Sequence, residues 1–160
     1  MGTGTFFPSS GQILQVQKST IRTAASNFST TTLAEVSGNY RVSITPKLAS
    51  SSYIHCVFHY HAITDGNTHM AVAIYVSTDG GSNFVSAMDG GGQSPSVAES
   101  HRNDNSSRYS TRAVTATFYD IYSTTAPLIF TVFAARASGS GNCRINDNGG
   151  GSFLTCMEVV

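Results

Sequence analysis

Charge is what this sequence has least of. Only 11% of its 160 residues are Asp, Glu, Lys or Arg, against about a quarter in an ordinary globular domain. Ser, Thr, Asn and Gly supply the polarity instead, which suits a particle-bound or extracellular surface better than that of a cytosolic enzyme. Nine basic residues balance nine acidic ones, and the basic ones are scattered. A nucleic-acid reader draws its affinity from counterions displaced by clustered Lys and Arg, so the composition argues against a nucleic-acid partner. Long apolar runs are missing too. Nothing approaches the ~18 residues of a membrane span, and the opening MGTGTFFPSS lacks the basic-then-apolar order of a signal peptide. No membrane association is expected, and synthesis and assembly in a reducing cytoplasm is the reading. Cysteine is sparse: Cys56, Cys143 and Cys156 are an odd number at wide spacing with no C-x-x-C pair, which excludes a disulfide framework and reads as buried free thiols. The N-x-S sequons at Asn27 and Asn105 then carry no weight.

Catalytic signatures are also absent. There is no G-x-S-x-G elbow, no G-x-x-x-x-G-K phosphate loop and no H-E-x-x-H. Most of the acids, Asp65, Asp79, Asp89, Asp104 and Asp147, fall in polar turns. Asp120 and Glu158 lie in apparent strands, and nothing in the spacing brings them together as the carboxylate pair that sugar hydrolysis needs. The run Asn146, Asp147, Asn148, Gly149 is a fragment of a calcium loop without the ligands that should follow or the closing Glu; turn formation accounts for it. No catalytic, cofactor-binding or metal-ligating residue is assigned, and the chain is read as non-enzymatic.

What the sequence does contain is one grammar repeated: a strand, then a polar turn. A chain of this length fits one domain with a real core. Residues 1–10, with the apolar step Phe6, Phe7, Pro8, read as an N-terminal docking arm, and 11–160 as a single domain. The first strand is 11–18, followed by a long connection, 19–32, with an irregular strand around 21–23. Strict alternation over 40–45 puts Tyr40, Val42 and Ile44 on one face, and Pro46, which cannot donate to a ladder, ends the strand. Over 53–63, Ile54, Cys56, Phe58, Tyr60 and Ala62 share the face expected in the core, opposite Tyr53, His55, Val57, His59, His61 and Ile63. Further strands are read at 69–77, 84–88, 112–122, 128–137 and 153–160. Met70, Val72, Ile74 and Val76 face the core in the first of these, and 128–137 is apolar enough for a sheet centre. Asp79, Gly80, Gly81 and Ser82 make an Asp-Gly turn. Residues 89–108 are the longest polar stretch, of the kind that tends to be functional or mobile, and Cys143, Arg144 and Ile145 form a short segment between two turn clusters. No window offers an amphipathic helix. About eight strands with turns every ~8 to 12 residues point to an all-β, antiparallel two-sheet jelly-roll sandwich.

One cluster could carry chemistry. His55, His59 and His61 share a face of the 53–63 strand, with His59 and His61 about 7 Å apart at the backbone. The pair could chelate zinc or nickel if a third ligand approached, the rings of several chains could meet around a three-fold axis, or the cluster could titrate near neutrality as a pH sensor. The simpler account is packing and hydrogen bonding at a strand surface or subunit contact, and it is the one expected here.

Three segments, GQILQVQ at 11–17, VSITPKLASS at 42–51 and TCMEVV at 155–160, resemble a family of phage virion proteins found at the C-terminal ends of tail fibres and as stand-alone particle proteins. Together they bracket nearly the whole chain. The resemblance implies a small antiparallel jelly roll similar to the trimeric tumour-necrosis-factor-like and complement-type heads, in which an apolar face is buried around a three-fold axis. This chain departs from the pattern in its three histidines, so no site residue is carried over. The implied function is that of a trimeric capsid decoration or cement protein, with the major capsid protein as its partner and the virion as its location. The alternative is the receptor-binding head of a tail fibre or spike that takes a cell-surface glycan through loops such as 89–108. A glycan depolymerase has no motif behind it.

Overall fold

Alternation in the sequence becomes alternation in burial. A computed structural model describes residues 10–21, 26–48, 51–65, 68–87, 98–99, 108–118, 126–146 and 150–160, with twelve strands among them: β1 (Ile13–Lys18), β2 (Ser26–Phe28), β3 (Ala34–Glu35), β4 (Val42–Ile44), β5 (Tyr53–Thr64), β6 (His69–Ser77), β7 (Val85–Ser86), β8 (Ala98–Glu99), β9 (Arg108–Phe118), β10 (Leu128–Ser138), β11 (Cys143–Ile145) and β12 (Phe153–Val159). On β5 the expected core face, Ile54, Cys56, Phe58, Tyr60 and Ala62, is fully buried. So are Met70, Val72, Ile74 and Val76 on β6, Val114, Ala116 and Phe118 on β9, and Leu154 and Cys156 on β12. Period-2 patterning in which one face is apolar leaves a strand only one way to lie on a core.

The strands form two antiparallel sheets. In the first, β5 is the spine: β9 pairs along one edge from Ile54 to Thr64, while β12 and then β11 lie end to end along the other. Beyond these, β1 pairs with β12 and β2 with β11. The second sheet is built on the β6–β10 pair; β4 and β3 share the outer edge of β10, and β7 and β8 the outer edge of β6. Numbering the principal strands β1, β4, β5, β6, β7 with β8, β9, β10 and β12 as one to eight, the sheets run 1-8-3-6 and 2-7-4-5, the strand order of a jelly roll. β10 is interior to its sheet, as its apolar sequence requires.

Local differences from the sequence reading have local causes. Among the described residues of 19–32 the strand is Ser26–Phe28, and Ile21 lies in no strand. The segment at 143–145 is a true strand, held between β5 and β2. Among the described residues of 84–88 the strand is Val85–Ser86, and the Ala87 N–H still donates to the Ile74 carbonyl at 3.0 Å. Tyr40 belongs to a 3-10 turn, Gly38–Tyr40, capped by the Ser37 hydroxyl, although it is buried on the side expected for it. In β1 an irregularity between Ile13 and Gln15 breaks the alternation, as an inserted residue does in any ladder. Ile13 and Val16, which unbroken alternation would put on opposite faces, therefore both point outward, 51% and 53% exposed. Positions 1–9 of the arm read at 1–10, positions 22–23 of the strand read around 21–23, position 88 of that read at 84–88, positions 119–122 of that read at 112–122, and 89–97 and 100–107 of the polar stretch lie outside the described residues.

Aromatic rings join the layers: Tyr40 meets Phe58 edge-on at 5.1 Å, and Phe118 meets Phe130 at 5.9 Å, geometries that ring quadrupoles favour. One polar chain is buried among them. The Asn146 amide donates to the Tyr40 hydroxyl at 2.7 Å, and that hydroxyl is hydrogen-bonded to the Ser152 hydroxyl. Asn146 adopts a left-handed φ of 66°, a conformation that Asn tolerates better than most residues, so the first residue of the calcium-like run is a buried turn residue. A second close approach depends on Gly141, whose N–H donates to the Thr68 hydroxyl at 2.8 Å. A Cβ there would stand 2.2 Å from the Asp65 carbonyl oxygen and 2.6 Å from Thr68 Oγ1. Backbone cannot yield as a flexible side chain does, so Gly141→Ala is expected to cost about 2–3 kcal/mol through displaced turns. Chemical denaturation would register this as a lower midpoint at unchanged slope.

Candidate interaction surface

The outward faces of the two sheets differ in kind. On the second sheet the chain covers itself. The Thr131 hydroxyl, fully buried, donates to Glu35 at 2.8 Å, and Glu35 takes a two-point ion pair from Arg41. That pair, opposed by partial burial, holds the Glu35 carboxyl below its ordinary range. The Arg41 guanidinium lies 5.0 Å over the Phe84 ring, and Phe133 contacts Phe84 and stacks on Tyr75. The turn that delivers Phe84 is fixed by the Asp79 carboxylate, which accepts from the Asn83 and Ser82 N–H groups and the Ser77 hydroxyl. Its donors, Asn83 first, hold Asp79 far below the ordinary carboxylate range.

On the first sheet the described residues cover the outward face only in part: Ile63 at one end is 1% exposed and Gly150 packs on His61, whereas Val16 is 53% exposed. Register fixes its outward face row by row. Val16, Met157, His55 and Thr117 form one row, and Lys18, Thr155, Val57 and Thr115 the next. Phe153, His59 and Ala113 follow, then His61 and Thr111, while Ile13, Val159 and Tyr53 close the other end. One row beyond His61 stands Ile63 with Arg144, which is ion-paired with Asp65; in the rows before it Lys18 supplies the cation, and its ammonium sits 3.8 Å over the Phe153 ring, a cation–π contact that binds it to the sheet. An antiparallel sheet with one wet face normally sets polar residues there. This face instead carries Ile13, Val16, Val57, Phe153 and Met157.

The three histidines fall on this face, as their parity requires, and each has its own neighbour. His55 Nδ1 lies 3.2 Å from the Thr117 hydroxyl, His61 Nε2 lies 3.0 Å from that of Thr111, and the His59 ring tilts against Phe153 at 5.2 Å. Gly150 packs so tightly on the His61 ring that a Cβ would fall 2.4 Å from Cγ. Among the described residues no three His, Cys, Asp or Glu are grouped to hold a metal ion. Of the turn acids, Asp65 is paired with Arg144 at 2.9 Å, and Asp89, Asp104 and Asp147, like Asp120 of the strand read at 112–122, lie outside the described residues.

Glu158 has a role that spacing alone did not reveal. It is fully buried at the end of the sandwich, where its carboxylate accepts from Lys47 N–H at 2.8 Å, Leu48 N–H at 2.9 Å, the Ser52 hydroxyl at 2.8 Å and Gln15 Nε2 at 2.7 Å. Burial by itself would raise this carboxyl, but the bonds from Leu48, Lys47, Gln15 and Ser52 together outweigh it and hold the group below its ordinary value. The three segments that carry the family resemblance thus meet at one atom group: Gln15 from the first, Lys47 and Leu48 from the second, Glu158 from the third. Parity did mark it, since a Glu on the same side of β12 as Leu154 and Cys156 must either be exposed at an end or be buried with partners. No protein-family model matches the chain, and no curated protein matches its sequence.

Proposed function

We propose that this chain is a non-enzymatic structural protein of a phage particle, a homotrimer that decorates or cements the capsid shell. The observation that carries the reading is the outward face of the first sheet, where Val16, Val57, Phe153 and Met157 are interleaved by Thr and His, with Lys18 over Phe153 and an Arg144–Asp65 ion pair at its far end. Such a face gains most by meeting another copy of itself, and the family that the sequence resembles buries an apolar face around a three-fold axis. Glu158 adds support, because the resemblance rests on segments that share one structural task. In this arrangement the histidines line the contact between subunits, and the second sheet and its turns face outward toward the shell.

Light scattering on the purified chain tests the oligomer: a trimer has three times the 16.9 kDa of the monomer. Imaging of whole particles tests the location. Particles without the protein should lose shell stability and still adsorb to cells. Intact shells with failed adsorption would instead favour a receptor-binding head that takes glycan through its loops.

A further inference from the structure

Cys56 and Cys156 are direct partners in the ladder between β5 and β12, 100 positions apart in sequence. Both point into the core, exposed by 1% or less, and their sulfurs lie 3.3 Å apart, Cys56 donating to Cys156. Residues facing each other across an antiparallel ladder have Cα atoms about 4.5–5.5 Å apart, inside the roughly 4.4–6.8 Å that a disulfide bridges. Bond formation therefore needs two side-chain rotations and no shift of strands. Cys143 is turned elsewhere, its thiol directed at the His69 carbonyl oxygen 3.8 Å away.

We propose that Cys56 and Cys156 are a modification site at which a peroxide forms a cross-strand disulfide, stapling the C-terminal strand β12 to the spine of the first sheet. The sulfur of one cysteine attacks the peroxide. The O–O bond breaks, one oxygen leaves as water and the other stays as a sulfenic acid. The sulfur of the second cysteine then displaces that oxygen as a second water and closes the S–S bond. Two thiols lose two electrons, one hydrogen peroxide gains them, and the thiol protons end in the two waters. Burial gates the chemistry, since it excludes the oxidant and pushes the Cys56 thiol well above its ordinary value, which withholds the reactive thiolate. Oxidation waits on a transient opening of β12 from β5 and is slow beside that of an exposed thiol. The product closes a loop that holds β6, β9 and β10, the kind of long closure that most restricts an unfolded chain.

Incubating the full chain with hydrogen peroxide, quenching, denaturing and alkylating with iodoacetamide provides the test. The oxidised chain should take one alkyl group where the reduced chain takes three, and digestion should yield a peptide pair linking Cys56 to Cys156. Its thermal midpoint should rise by about 10 °C and return on treatment with dithiothreitol. Cys143→Ser should behave as the parent does, whereas Cys56→Ser should form no intramolecular link. Three alkylatable thiols after oxidation, a link through Cys143 or between molecules, sulfinic acid at either position, or a linked chain whose midpoint does not rise would each overturn the proposal.

Discussion

Glu158→Gln is expected to lower the unfolding midpoint by about 10 °C, from a loss of roughly 3 kcal/mol. The carboxylate is fully buried, and the groups within hydrogen-bonding reach are donors: two backbone N–H groups, a hydroxyl and an amide. Lys47 supplies its backbone and not its charge, because its ammonium is directed to the Leu14 carbonyl oxygen. The anion is thus held by convergent dipoles, as in an anion nest. Gln offers one acceptor oxygen where Glu offers two, and its amide would face donors. Bonds to a charged acceptor are worth about 1.5–3 kcal/mol each when the partner is lost, and relaxation recovers part of the sum. The effect has a pH signature. A carboxyl whose folded value lies below its unfolded one stabilises the fold above the unfolded value, and that contribution fades as pH falls through the folded one. The gap between parent and Glu158→Gln should hold near neutrality and close progressively below pH ~4.3. Denaturation midpoints measured from neutral to acid conditions decide the matter, and a gap independent of pH would reject the anion as its cause.

The same residue shows where sequence reading stops. Strands β5, β6, β9 and β12 were legible because each carries its own period-2 pattern, and one apolar face leaves no freedom about which side is buried; β10 was legible as an apolar run. Strand partnership is different information. That Cys56 faces Cys156, or that Glu158 reaches Lys47, is set by register between segments about a hundred positions apart, which no local period encodes. The short strands β2, β3 and β7 were missed or displaced for a related reason: two or three residues cannot display a period, and their pairing is imposed by longer neighbours. The β1 irregularity hid in the same way, by turning Ile13 to the side of Val16. The histidine face, by contrast, was legible as a face, since parity alone assigned it. That the described residues cover it only in part emerged by comparison with the other sheet, where Phe84 and Arg41 close over Phe133.

If the chain forms the proposed trimer, Val57→Asp should convert it to a monomer without unfolding it. Val57 stands in the middle of the outward face, half-buried between Thr155 and Thr115, so in a lone subunit a carboxylate there can still reach water. In an assembly closed on this face, three such carboxylates would be withdrawn from water near the axis, and the one cation in the same row, Lys18, stands two strands away over the Phe153 ring. Desolvating an unpaired charge costs several kcal/mol, and mutual repulsion adds to it at the low dielectric of an interface. Three copies of that penalty exceed what a contact of ordinary size can absorb. Light scattering should give 16.9 kDa for Val57→Asp, while far-ultraviolet circular dichroism keeps its β signature. Ser43→Asp, on the exposed outward side of β4, supplies the matched charge on the second sheet and should leave the trimer whole. A trimeric Val57→Asp would move the contact off this face, and a monomeric parent would remove the oligomer from the proposal altogether. Dissociation of both variants would point to charge in general and not to the face. Only selective loss at Val57 ties assembly to the surface on which His55, His59 and His61 also lie.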